Sequence, residues 1–244
     1  MRPITFCAER SPSPGAVRPI PIDFDKSPHV VCTGGSGTGK SVASMLISAK
    51  VARIPTSQLY ILDYKNDTDT FGFLHGHGPG CRYWRFEACM DGLNEYYERF
   101  QVELAADTGP GGPRPVRWLW IDELASWLLN IPKKDAESAR SKIASLLMLG
   151  RSRRYLLLTT VQRASAELFA QGSRDNYNIC IGMGALSKES AATLGFSRED
   201  FLPPAQVGDG HMIVNGNQIP IQVPYIGPKG MERMKEDILD GVTR

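Results

Sequence analysis

The chain has 244 residues, 42% hydrophobic and 22% charged, with a formal net charge of +2. That is ordinary globular composition: it suits one sizeable core with extensions, excludes a disordered polymer, and gives no argument for a nucleic-acid partner from net charge alone. No apolar run approaches the roughly 20 residues that cross a bilayer as a helix. The five cysteines, Cys7, Cys32, Cys81, Cys89 and Cys180, form no short paired ligand motif. Odd in number and without an apolar leader, they read as free thiols of a reducing compartment.

Residues 1–28 hold six prolines and read as an extended lead-in lying across a main domain over 29–244, with Ile20–Phe24 as a short edge strand. His29–Thr33 is an apolar strand stopped by glycine. Val42, Met45, Leu46 and Ala49 then recur at helical spacing, which predicts a helix over Lys40–Arg53 ended by Pro55. Leu59–Asp63 is a second strand ending in an acid, and residues 64–90 are mixed and glycine-rich. His75 and His77 fall there with no third ligand nearby, so a flexible loop is favoured over a metal site.

Asp91 is placed to cap a helix reaching Ala106, and Thr108–Pro115 is a Gly/Pro loop. Val116–Ile121 is a third buried strand, followed by Asp122 and Glu123. An amphipathic helix spans Asp135–Leu149 and leads into Gly150–Arg154. Further strands fall at Tyr155–Thr160 and Asn178–Gly182, and a helix opens at Ser187. Two apolar runs around Asn215–Gln218 read as a β-hairpin, and the tail from Lys229 as a last helix. Apolar strands alternating with helices predict an α/β fold, a mostly parallel sheet covered on both faces with an antiparallel hairpin added at one edge.

Gly34, Gly35, Ser36, Gly37, Thr38, Gly39, Lys40 and Ser41 match the pattern G-x-x-x-x-G-K-[ST], after a strand and before a helix. The glycines let backbone amides turn onto phosphate oxygens, and the helix start adds its positive end. Lys40 is expected to reach the β and γ phosphates of ATP, and Ser41 to ligate Mg2+. Asp122, an acid at the tip of a buried strand, is costly there unless it faces a cation or donors, so it is expected to hold Mg2+. Glu123 is then placed as a general base for the attacking water. Gln162, ending the next buried strand, can sense the γ-phosphate or orient water; a satisfied buried hydrogen-bonder is the alternative. Asp63 admits a functional and a structural reading equally.

Arg151, Arg153, Arg154, Arg163 and Arg174 flank the later strands, and any of them can be read as an arginine finger reaching a neighbouring subunit or as part of a solvated basic face. Lys133–Arg154 carries seven basic and two acidic side chains, a local excess of +5.

Together these segments resemble the motor domain of FtsK/SpoIIIE-type DNA translocases of the FtsK–HerA group. The resemblance is carried by Pro21–Gly35, by Ile61-Leu-Asp63-Tyr-Lys65, by Leu119-Trp-Ile-Asp122-Glu123, by Gly150-Arg151 with Leu156–Ser165, and by Arg174-Asp175-Asn176. It implies a RecA-like P-loop ATPase working as a ring, usually a hexamer, that moves double-stranded DNA independently of sequence; TcpA-like conjugative members instead escort processed DNA to a secretion channel. It also implies a cytoplasmic location, with a separately encoded membrane or relaxase partner where recruitment is needed, and points to Arg151 as the arginine acting in trans. Ala164 replaces the family's proline after Gln-Arg, and Cys180 stands where chromosomal members carry arginine. With no winged-helix module after it, the chain is expected to be little more than the motor. The sequence keeps two alternatives open: a packaging or secretion ATPase with a non-DNA or protein–DNA cargo, and a nucleotide-dependent assembly scaffold, against which the presence of Glu123 argues.

Overall fold

Strand residues alternate between two separate cores, one on each face of a single sheet. A computed structural model of the chain describes residues 2–10, 18–106 and 114–244. Its strands are β1 (Ile4–Glu9), β2 (Arg18–Ile22), β3 (Val30–Gly34), β4 (Gln58–Asp63), β5 (Tyr83–Arg85), β6 (Arg117–Asp122), β7 (Tyr155–Val161), β8 (Ile179–Met183), β9 (Asp209–Val214) and β10 (Asn217–Gln222). They form one ten-stranded sheet in the order β2-β1-β10-β9-β8-β3-β7-β6-β4-β5. From β8 to β5 every pairing is parallel, and from β8 to β2 every pairing is antiparallel.

The helices are α1 (Lys40–Ala52), α2 (Thr68–Phe71), α3 (Cys89–Ala105), α4 (Leu124–Asn130), α5 (Lys133–Leu149), α6 (Lys188–Leu194) and α7 (Pro228–Thr243). On one face Leu59, Ile61, Trp118, Trp120, Leu156 and Leu158 pack with α1 and α7. On the other, Tyr60, Leu62, Leu119, Ile121 and Leu157 pack with α3, α5 and α6. This period-two division is why the central strands read as continuous apolar runs. α1 and α7 approach closely at Gly241, where a Cβ would lie 3.0 Å from that of Ala52.

The helix and strand expectations are recovered with end shifts of a few residues, and the differences have physical reasons. Asp91 does not cap α3; the helix starts at Cys89, and Asp91 sits in its first turn, where its charge suits the helix dipole. The hairpin β9–β10 does not form the sheet edge, because β1 pairs antiparallel with β10 and β2 extends beyond it. Within residues 64–90 the chain forms α2 and the short strand β5, and α4 follows directly on Glu123. Most of the Gly/Pro loop expected over Thr108–Pro115 lies outside the described residues. All five cysteines are free. Among the described residues no helix is long and apolar enough to cross a membrane.

Candidate nucleotide site

The parallel strands β3, β4, β6 and β7 end at one edge of the sheet, and their tips with the loops beyond them build a cleft. In such sheets ligands sit beyond the carboxyl ends of the strands. The loop between β3 and α1 turns at Gly37 and Gly39, whose φ values of 75° and 97° lie in the left-handed region. Gly35, Ser36 and Gly37 face solvent, and the Thr38 hydroxyl donates to the Gly35 carbonyl at 2.9 Å. The loop is propped from beneath: the Gly208 amide donates to the Thr38 carbonyl at 3.1 Å, and a Cβ on Gly34 would stand 2.7 Å from the Met183 carbonyl oxygen. Any larger residue at Gly34 would lift the loop off β8.

Lys40 opens α1 and is buried, with its ammonium donating to Glu123 Oε1. Burial works against the charge of Lys40, but the Glu123 and Asp122 carboxylates outweigh it and hold the ammonium above its ordinary pKa. Asp122 ends β6, and burial pushes its carboxyl up to about 6 against the opposing pull of Lys40 and a hydrogen bond from Thr160. Glu123 follows in the left-handed region, φ 50° and ψ 53°, a strained setting for a residue with a Cβ. The Thr160 hydroxyl ties the two acids together: it donates to Asp122 Oδ1 at 2.6 Å and accepts from the Glu123 amide at 3.0 Å.

Gly35, Ser36, Gly37, Gly39, Lys40, Ser41, Asp122, Glu123 and Gln162 line one cleft of about 400 Å³. Thr38 supports its floor through the backbone. Lys65, Asp67 and Val207 also line the cleft and were not singled out from the sequence for a role there. Lys65 Nζ lies 3.5 Å from Glu123 Oε2. Thr160 was likewise missed; a hydroxyl at the tip of an apolar strand beside an expected metal ligand was the available signal.

The donor set suits a hard cation bound with phosphate. Ser41 and Asp122 face the same cleft, and Asp122 Oδ2 has no protein hydrogen-bond partner among the described residues. Hydroxyl and carboxylate oxygens are the ligands Mg2+ takes alongside substrate phosphates. Among the described residues no group of three or more His, Cys, Asp or Glu side chains is gathered to hold a metal. His75 Nε2 instead lies 3.2 Å from the Tyr83 hydroxyl, and His77 Nε2 is 3.3 Å from the Phe73 carbonyl oxygen.

Arg151 is not brought to this cleft. It precedes β7, at the opposite end of the sheet, and donates to the Asp25 carbonyl at 3.1 Å. Its neighbours are similarly engaged: Arg153 donates to the Leu104 and Ala106 carbonyls, and Arg154 to the Arg114 carbonyl and the Asp25 carboxylate. Arg174 donates to the Thr193 carbonyl and pairs with Asp175, whereas Arg163 is exposed just past β7.

Sheet, loop and cleft define the core of a RecA-like P-loop NTPase. No family model matches the sequence. The chain is 26% identical over 226 residues to the FtsK domain-containing protein YdcQ of Bacillus subtilis (strain 168), a match covering 88% of this chain and 46% of that protein. The chain therefore spans about half the length of the curated relative it matches. The cytoplasmic domain of the type VII secretion ATPase EccC of Thermomonospora curvata aligns with a TM-score of 0.69 at 18% identity, over 97% of this chain and 31% of that one. The pCW3 conjugation coupling protein TcpA, in a monomer form with ATPγS, aligns with a TM-score of 0.68 at 16% identity, over 95% of this chain and 70% of that one. The chain shares its fold with these two proteins and is similar in sequence to the FtsK domain-containing protein.

Proposed function

We propose that this chain is the ATP-hydrolysing motor unit of an export or packaging machine, moving a protein or protein–DNA cargo as a homo-oligomeric ring. The observation that carries the hydrolytic reading is the convergence of Lys40, Ser41, Asp122, Glu123 and Gln162, from three separate segments, on one cleft. In this reading the loop amides and Lys40 hold the β and γ phosphates. Ser41 and Asp122 hold Mg2+, which when bound neutralises charge on the phosphate oxygens. Glu123 takes a proton from the attacking water as its oxygen bonds to the γ-phosphorus and the bond to the β–γ bridging oxygen breaks, releasing ADP. Gln162 orients that water. Glu123→Gln tests the reading: it should bind a fluorescent ATP analogue as the parent does and hydrolyse ATP at least about a hundredfold more slowly. Near-normal turnover would remove Glu123 from the mechanism.

The cargo assignment rests on the likeness to EccC and on the state of the basic segment. Arg153 and Arg154 are tied to backbone carbonyls, and Arg154 also to the Asp25 carboxylate, so these two cations of the +5 segment are less available to naked DNA. The likeness to YdcQ and TcpA favours the second reading, a DNA translocase or DNA-transfer coupling ATPase. Steady-state ATPase assays with and without double-stranded DNA separate them. Stimulation that falls steeply with salt would establish the DNA reading, and equal rates at concentrations that allow oligomers would count against it.

A further inference from the structure

We infer that Lys65 is a positioning residue for Glu123, the cation that keeps this carboxylate aimed when Lys40 engages phosphate. The inference rests on the reading of Glu123 as general base given above. Glu123 is nearly inaccessible, its side chain 6% exposed, and each of its oxygens faces a different lysine: Oε1 takes Lys40, and Oε2 lies 3.5 Å from Lys65 Nζ. Among the described residues no third cation pairs with it. A buried carboxylate with one cation withdrawn depends on whatever charge remains. Lys40 belongs to the phosphate loop and Lys65 does not, so the two lysines have separable duties.

The chain beneath Lys65 is built to deliver it. β4 and β6 are in register with Asp63 opposite Asp122, so the turn leaving β4 passes beside the tip of β6. Asp63 is buried and organises that turn, accepting from the Tyr83 hydroxyl at 2.8 Å and from the Asp67 amide at 3.1 Å. Asn66 takes the left-handed conformation, φ 54°, and is held by Arg85 at 2.9 Å. The equal choice left open for Asp63 thus resolves towards structure: its bonds shape the turn that carries Lys65 and Asp67 into the cleft. At 3.5 Å and 36% exposed, Lys65 steers by charge and holds no tight hydrogen bond.

The test is a double-mutant cycle of Lys65→Met with Glu123→Gln, read by single-turnover ATP hydrolysis, fluorescent ATP-analogue binding and thermal melts. Lys65→Met should lower kcat by about tenfold or more through a misaimed carboxylate, with KM and analogue affinity changed less than about twofold. In the Glu123→Gln background the same change should alter the residual rate by less than about twofold. Lys65→Arg, which keeps the charge, should recover turnover to within about threefold. An equal loss from Lys65→Met in both backgrounds would overturn the inference, since Lys65 would then act on phosphate or on the fold. So would a Lys65→Arg enzyme as slow as Lys65→Met, or a fully active Lys65→Met beside an inactive Glu123→Gln. A Glu123→Gln enzyme of normal turnover would instead strike the underlying reading of Glu123.

Discussion

Lys40 and Glu123, 83 residues apart in the chain, form a buried ion pair at the floor of the cleft, with side chains 9% and 6% exposed. Removing Lys40 leaves the buried Glu123 with only the partly exposed Lys65 at 3.5 Å, a loss smaller than the about 3–5 kcal/mol of a fully uncompensated buried charge. Lys40→Met is therefore expected to lose stability as well as nucleotide turnover. Lys40→Met combined with Glu123→Gln should regain most of that stability while staying inactive. Urea denaturation of the two variants checks this, and a Lys40→Met chain as stable as the parent would show that the pair contributes nothing to the fold.

Thr160 offers a narrower probe, because one hydroxyl serves both acids. Thr160→Val keeps the shape and removes the acceptor of the Glu123 amide and the donor to Asp122. An unmet buried amide costs about 1–3 kcal/mol, and Asp122 loses the bond that orients it. The variant should be destabilised by that amount and need more Mg2+ for half-maximal turnover, whereas Thr160→Ser should behave as the parent. Mg2+ titrations of ATPase rate measure the second effect; overlapping curves for the parent and Thr160→Val would refute it.

Much of the fold was legible because its signals are local. Gly34 to Ser41 needs only strand, glycine and helix in succession, and Trp118–Ile121 announces a strand buried on both faces before Asp122 and Glu123. The missed elements lack such signals. β1 pairs with a strand more than 200 residues away and alternates imperfectly, β5 has 3 residues, and the apolar run of the 7-residue α4 is set off from that of its strand only by Asp122 and Glu123. In the site, Lys65 and Thr160 take their meaning from strand register, Asp63 opposite Asp122 and Thr160 beyond their pairing partners, which no spacing along the chain discloses. Charge counted along the sequence likewise does not reveal that Arg153 and Arg154 bind backbone carbonyls.

His29 should make stability depend on pH. Its ring is buried, Nδ1 accepts from the Leu157 amide at 3.2 Å, and burial pushes its pKa down to about 3. In the unfolded chain a histidine titrates near about 6.5. Between those values the unfolded state binds a proton that the folded state refuses, so stability rises with pH through the window. The contribution is fully present above about pH 6.5 and is lost towards pH 3, by up to about 1.4 kcal/mol per unit. His29→Asn supplies a neutral acceptor that does not titrate. The loss of unfolding free energy between about pH 7.5 and 5.5 should be about 1.4 kcal/mol smaller in the variant than in the parent, as urea titrations at the two pH values would reveal. Equal losses would show that His29 is not held neutral.

Arg151 separates a site complete in one chain from one completed by a neighbour. It stands before the first residue of β7, and the cleft lies past the last; seven residues of strand span roughly 20 Å. No side chain bridges that distance within one chain, so any action of Arg151 on phosphate crosses a subunit boundary. The expected result is complementation. Arg151→Ala retains a complete cleft but lacks the arginine it would offer its neighbour, and Lys40→Ala has a dead cleft but an intact arginine. Each alone should hydrolyse ATP slowly, and mixed oligomers should be faster than the average of the two, because Lys40→Ala subunits present Arg151 to competent clefts. Arg151→Ala should leave analogue affinity in dilute, unassembled protein unchanged. A mixture no faster than that average, with oligomers verified by light scattering, would remove Arg151 from the trans position and turn attention to Arg163, which is exposed immediately beyond Gln162.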